Sequence, residues 1–320
     1  DHNFNLLLGT SIRSETYKGF FGSGPLNSGP ETWDNAYLGN SNSIIQVVDG
    51  EVTSSLVNVS DGRNENRWYS LFGRLQYDYQ GKYLFSAMVR RDASTKFGPN
   101  DRIGNFPSFS GGWVISNEDF FNVDAINSLK IRGSWGITGN DKIGNYRWLG
   151  LLQGTTGEAT YPFGDLLVNG NAIGALANPD LKWETNYQTN VGIDVSLFDR
   201  KLSLTLDYYR KKTEDLLLVP DVSGLLGGSA GGSSPPVVNA GTIENKGFDM
   251  SLNFTHDFSD NLSMNVGYNL TTVKNKALSV NNAAGFISGG LFNLGQTTSR
   301  FQTGLPIGVF YGLQADGVFQ

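Results

Sequence analysis

Three arginines and four aspartates stand at alternate positions among mostly uncharged residues: Arg74, Arg90, Arg132, Asp78, Asp194, Asp207 and Asp249. In an extended strand successive side chains point to opposite faces, so this spacing gathers them on one polar side. A surface of guanidinium, carboxylate and amide groups can hold a hydrophilic solute through charge-assisted hydrogen bonds. The plainer alternative at each position is a solvated or internally salt-bridged face. Arg74, Arg90, Arg132, Asp194 and Asp207 are the candidates for contact with a solute. Trp33, Tyr146, Trp148 and Tyr161 fall on long connections, where they can stack on sugar rings or side chains, or pack within their own loops.

Other chemistries lack material. The chain has no cysteine and only His2 and His256, which leaves no thiolate site, no histidine-rich metal centre and no imidazole for proton transfer. Gly22-Ser23-Gly24-Pro25 and Gly227-Gly228-Ser229-Ala230-Gly231-Gly232 do not join a buried strand to a helix, so they read as flexible loops and not as phosphate cradles. Asp61-Gly62-Arg63-Asn64-Glu65-Asn66 lacks the ligand spacing of a calcium loop. The acids repeat along strand faces without the identifiable pair a glycosidase needs. No enzyme activity and no cofactor are expected. A net charge of -6 and a pI near 5.0 supply no basic footprint for nucleic acid.

The elements that position these residues are long two-faced strands. Between residues 183 and 197, Trp183, Thr185, Tyr187, Thr189, Val191, Ile193, Val195 and Leu197 alternate with Glu184, Asn186, Gln188, Asn190, Gly192, Asp194 and Ser196. After a turn at residues 198–201 the pattern resumes in Leu202, Leu204, Leu206 and Tyr208. Period-two counting predicts about ten such strands. The first uses Phe4 to Ile12, the second starts at Arg67, and the tenth is expected from about Val309 to Phe319. Forty-one glycines and 12% aromatic residues suit a β-rich chain with many turns.

No apolar run is long enough for a transmembrane helix, but a barrel strand crosses with about ten tilted residues and shows only alternation. A mean hydropathy of -0.25 is therefore compatible with a membrane wall. Connections alternate between short turns near Gly81, Asp199 and Asp260 and long loops at residues 14–66, 92–108, 139–182, 214–242 and 276–308. That asymmetry is the signature of an outer-membrane barrel, with short periplasmic turns and long extracellular loops. Tyr77, Tyr79 and Tyr83 at one turn, with Tyr208 further up the wall, suit a headgroup layer, and His256 suits an interface. Arg91 and Gly111 interrupt the apolar face. The first residues, Asp1 to Leu6, read as entry into a strand already under way, so the expectation is either that a signal peptide was removed with much else or that the chain is an internal piece of a longer one.

Several stretches resemble the SusC/RagA family of TonB-dependent outer-membrane transporters. They are Ser70-Leu71-Phe72-Gly73-Arg74-Leu75-Gln76-Tyr77-Asp78-Tyr79, Arg90-Arg91-Asp92-Ala93-Ser94-Thr95-Lys96-Phe97-Gly98-Pro99-Asn100, Phe106-Pro107-Ser108 with Gly112-Trp113, and Ser134-Trp135-Gly136 with Thr138-Gly139-Asn140. Further on come Asn178-Pro179-Asp180-Leu181-Lys182-Trp183-Glu184, Ile243-Glu244-Asn245-Lys246-Gly247-Phe248-Asp249, and Pro306-Ile307-Gly308 through Phe310-Tyr311-Gly312 to Asp316-Gly317-Val318-Phe319. They follow the family's order from about Ser70 onward. The resemblance implies a fragment of a 22-stranded, plugged barrel that imports oligosaccharides or peptides. It also implies a SusD/RagB-like surface lipoprotein lid, energy from a TonB complex and outer-membrane lipid around the wall.

On that reading residues 1–320 are a single barrel-domain segment, all-β and antiparallel, without the plug and the remaining strands, and do not transport alone. A passive porin or adhesin-like barrel shares the alternation, and a soluble glycan-binding β protein is the remaining alternative.

Overall fold

The computed structural model describes residues 1–23, 45–48, 51–55, 58–153, 160–164, 166–219, 235–259, 261–282, 284–292, 296–312 and 317. Ten strands form one sheet: β1 (His2–Ser23), β2 (Asn58–Tyr79), β3 (Tyr83–Ser94), β4 (Ile103–Val114), β5 (Ile126–Asn140), β6 (Glu184–Leu197), β7 (Leu202–Glu214), β8 (Thr242–Ser259), β9 (Leu262–Thr271) and β10 (Lys274–Ser279). They follow one another in chain order, except that β9 and β10 both pair with β8. Each ladder with a described register is antiparallel. By internal contacts the chain falls into two units, residues 1–12 with 68–320, and residues 13–67. The second holds residues 13–23 of β1, residues 58–67 of β2 and a hairpin of Ile45–Val48 with Glu51–Ser55.

Directly paired residues in a ladder share a face, so the register can be followed across the wall. One row reads Tyr79, Tyr83, Trp113, Ile131, Ile193, Leu206, Met250 and Leu270 from β2 to β9. The same face presents Leu71, Val191 and Phe248, each more than half exposed. A continuous exposed apolar surface of this kind is what lipid covers, and here alternate side chains supply it while the backbone groups pair within the sheet. The opposite row reads Asp78, Leu84, Gly112, Arg132, Gly192, Asp207 and Asp249. This polar face is the lumen side.

The short turns have local causes. Gln80 and Gly81 adopt φ values of 54 and 65 degrees, the primed turn that matches strand twist. Asp78 Oδ1 accepts the Gly81 amide at 2.7 Å, so this aspartate closes a turn while it also borders the cavity on the lumen face. After β4, a single 3-10 turn at Ile115–Asn117 brings Glu118 beneath the sheet.

Four expectations change. β1 runs to Ser23 and β2 begins at Asn58, because the ladder continues through polar residues where side-chain alternation ceases to mark it. The long loops carry hairpins of their own, at Leu151–Gln153 with Ala172–Ala175, Thr160–Phe163 with Leu166–Asn169, and Leu217–Leu218 with Val238–Asn239. The strand expected from about Val309 is described only at Val309–Phe310, where it pairs with Gln296–Gln302 in a three-stranded sheet with Phe286–Phe292. There the Arg300 guanidinium lies 4.1 Å from the Phe286 ring centroid and 3.2 Å from that of Tyr311, which accounts for Tyr311 in Phe310-Tyr311-Gly312, while Phe310 is exposed. The tenth strand of the wall is instead Lys274–Ser279. Trp33 and residues 313–316 and 318–320 lie outside the described residues.

Gly247 shows how one residue sets the end of the wall. The Tyr209 hydroxyl donates to the Thr272 carbonyl oxygen at 3.0 Å, passing across the inner face at Gly247. A Cβ there would lie 1.8 Å from that oxygen, a backbone atom that cannot swing aside. Gly247→Ala is expected to break the Tyr209 contact and pry β8 from the segment between β9 and β10. Its cost is about 1–3 kcal/mol, read as a lower temperature of heat-modified migration for the full-length protein on a denaturing gel. Unchanged migration would show that the Thr272 carbonyl moves freely.

Candidate functional site

The lumen face of β5, β6 and β7 brings together the charges that the sequence spaced apart. Arg132 on β5 pairs in register with Gly192 on β6, which pairs with Asp207 on β7. Because Gly192 has no side chain, Arg132 reaches over β6: its Nη2 donates to Asp207 Oδ2 at 2.6 Å. Its Nε also donates to Asp194 Oδ2 at 3.1 Å, and Lys130 Nζ stands 3.9 Å from the same oxygen. A Cβ at Gly192 would sit 2.4 Å from Asp207 Oδ1 and 2.8 Å from Arg132 Cζ. Polar-face alternation located Arg132, Asp194 and Asp207 but not the glycine that lets them meet. The available signal was a glycine at a polar-parity position between two charged strands.

Next to this network lies a cavity of about 650 Å³ lined by Gln76, Ser86, Ser110, Lys130, Arg132 and Asn190. A second, of about 590 Å³, continues along the face past Arg90, Asp92, Ser108 and Gln188. Ser86, Ser110, Ser134 and Asn190 border both, and the register aligns them in one row across four strands. The result is a trough in which hydroxyls and amides alternate with apolar side chains such as Leu84, Met88 and Phe106, with guanidinium groups beside it. Such a lining can exchange hydrogen bonds with a hydrophilic chain without committing a strong charge at each step.

The arginines do not converge. Arg90 Nε is bonded to Asp92 at 2.8 Å, its Nη2 to Ser70 Oγ at 2.9 Å, and its guanidinium stands over the Phe72 ring. Arg74 lies on the same face one strand away, and its buried Nε has no hydrogen-bond partner among the described residues. Asp249 is directly across from Asp207 on β8.

The loop aromatics separate by role. Trp148 packs against a cluster of Phe97, Phe106, Leu181, Trp183 and Val237, the bland alternative for a loop aromatic. Tyr146 and Tyr161 are exposed, 46% and 67% respectively, and are the two of the candidate loop aromatics that the structure leaves open to a solute. Sequence reasoning missed that this cluster unites two motifs. Phe97 packs against Trp183 with the rings tilted and their centroids 4.9 Å apart, Asn100 Nδ2 donates to Asp180 Oδ1 at 3.0 Å, and the Gly98 Cα approaches the Pro179 carbonyl so closely that a Cβ would lie 2.7 Å from its oxygen. Asp141 ties the same region together, accepting from Trp68 Nε1 and from Ser94 Oγ.

At the opposite end of the wall, Glu118 accepts from Trp113 Nε1 at 2.8 Å and stands 3.3 Å from Lys82 Nζ. Hydrogen bonds from Tyr83 and Trp113 hold its carboxyl below the ordinary value, against the opposing effect of burial, with Lys82 assisting. This anchors the turn after β4 to the turn before β3.

Residues 1–319 match the family model described as TonB dependent receptor-like, beta-barrel. TonB-dependent receptor P3 of Formosa agariphila is 33% identical over the whole of this chain, which spans 30% of that protein. TonB-dependent receptor SusC of Bacteroides thetaiotaomicron is 36% identical over 64% of this chain and 20% of its own length. Among solved structures, the RagAB peptide transporter superposes with a TM-score of 0.76 at 24% identity, covering 97% of this chain and 31% of that one. The chain thus spans less than a third of each of these three proteins.

Proposed function

The chain belongs to the TonB dependent receptor-like β-barrel family, and from that membership we propose that it is a stretch of wall in an outer-membrane importer of hydrophilic oligomers, energised through a TonB complex. The cargo class is an oligosaccharide or a peptide. The rest of the full-length protein supplies the remaining strands and a plug, and a SusD/RagB-like surface lipoprotein closes the outer end. One observation carries the reading: the lumen face is a continuous trough with serines and amides bordered by Arg90 and the Arg132 network, and Arg74 stands one row from Gln76 and Ser86. The exposed face across the same strands is apolar. A wall built this way offers a solute many weak partners in place of one deep well.

Arg74 isolates the lumen contribution from the structural one, since its Nε makes no hydrogen bond among the described residues. In the full-length protein Arg74→Ala is expected to leave surface abundance unchanged and to lower uptake of the oligomer by about tenfold, the worth of one charge-assisted hydrogen bond. Deleting TonB is expected to abolish uptake by wild type. Uptake that persists without TonB would mark a passive pore. Uptake unaffected by Arg74→Ala would remove this arginine from the path.

A further inference from the structure

We infer that the lipid-facing surface of β7, β8 and β10 carries a built docking site for the phosphates of an outer-leaflet glycolipid. Register places Arg210, Lys246 and Lys274 side by side in one row and Lys212, Glu244 and Lys276 in the next. Both rows share the face of Tyr208 and Phe248, which lie one row nearer the periplasmic turns. Below them the face is apolar throughout: Leu206 with Met250 and Leu270, Leu204 with Leu252 and Tyr268, then Leu202 with Phe254 and Val266.

The height of the cations fits the outer leaflet. From Phe258 to Phe248 the apolar stretch of β8 spans about ten residues. At about 3.4 Å per residue and a tilt of about 40 degrees it rises about 26 Å, against about 25 Å for the apolar band of a barrel. Lys246 and Glu244 follow directly, at the level of headgroups. Five cations meet two carboxylates there, Glu244 and Glu214. Glu244 is nearly buried between Arg210 at 2.5 Å and Lys246 at 3.9 Å, and Lys212 is held by Glu214. Exposed Lys274 and Lys276 make no ion pair among the described residues. The excess positive charge is therefore concentrated at one edge of the patch.

This charge is concentrated on three strands and missing from the adjacent two, while exposed Arg91 stands on the same face of β3, paired with Leu71. Along the same two rows, β5 and β6 present Ile137, Trp135, Tyr187 and Thr189. A uniform rim would indicate general solvation, whereas a local cluster above an apolar band matches a ligand with an anionic head and apolar chains. Each lysine set beside an anionic surface adds appreciably to such binding.

The test uses the full-length protein in detergent with lipid A bearing two phosphates, and with the same lipid dephosphorylated. Substituting Lys246→Gln, Lys274→Gln and Lys276→Gln together is expected to weaken binding of the phosphorylated lipid at least about tenfold. Binding of the dephosphorylated lipid is expected to be weak and equal in both proteins. Lysine-to-arginine changes at the same three positions retain binding and report that the surface folds. The inference is overturned by unchanged affinity in the glutamine variant, by equal loss for both lipids, or by inorganic phosphate competing at equal concentration. It is also overturned if the variant keeps the lipid but loses self-association, which would assign the face to a second copy.

Discussion

Phe97→Ala in the full-length protein is expected to open the outer end of the wall, lowering its local stability by about 3–5 kcal/mol, the range for emptying a fully buried aromatic site. Phe97 and Leu181 are completely buried, and the Phe97 ring packs tilted against Trp183, whose ring also meets Phe106 edge-on at 5.4 Å. Removing the ring leaves Trp183 and Leu181 without a partner on one side, and Gly98 and Pro179 are packed too closely to refill the space. The sheet itself is held by its own ladders, so insertion into the membrane proceeds. The change is read as protease cleavage near residues 95–101 or 176–182 in whole cells, absent from wild type. Phe97→Leu, which preserves most of the volume, is expected to cost less than about 1.5 kcal/mol and remain uncut. Resistance of Phe97→Ala to protease would mean that the hydrogen bonds of Asp141 and Asn100 suffice.

Arg132→Met carries the second large effect. It leaves Asp194 and Asp207 without their shared cation, on a face where Asp249 already stands across from Asp207. The three side chains of the network are between a fifth and a third exposed, so water compensates in part. A loss of about 1–2 kcal/mol is expected, below the full value for charged hydrogen bonds. Adding Asp194→Asn and Asp207→Asn to Arg132→Met is expected to recover more than half of it, since the penalty is the exposed repulsion and not the missing methylenes. Arg132→Lys recovers less, because a single ammonium cannot serve both carboxylates in the guanidinium's forked geometry. Thermal unfolding in detergent checks all three. Equal stability of Arg132→Met and wild type would show that the network is dispensable.

The wall was legible because alternation is a local property. Val191, Ile193 and Val195 against Asn190, Gly192 and Asp194 declare two faces whatever they pair with, and the ladders of β6 follow that pattern. Family membership was legible in the motifs, and the comparisons bear it out. The strand boundaries at Ser23 and Asn58 were not, since backbone pairing outlasts the apolar signal. Nor was the fate of Asp78, because a turn cap and a lumen carboxylate occupy the same parity.

The sequence by itself determined which residues face lipid and which face the lumen, since the period of a strand is set by its own backbone. Only the tertiary structure decided which charges meet. Arg132 and Asp207 lie on strands that do not pair, and their contact exists because Gly192 on the strand between them has no side chain. Phe97 and Trp183 are likewise distant in sequence and in strand order, and they touch because two loops fold over the end of the wall. Register between strands is a property of pairs. No single strand's pattern contains it.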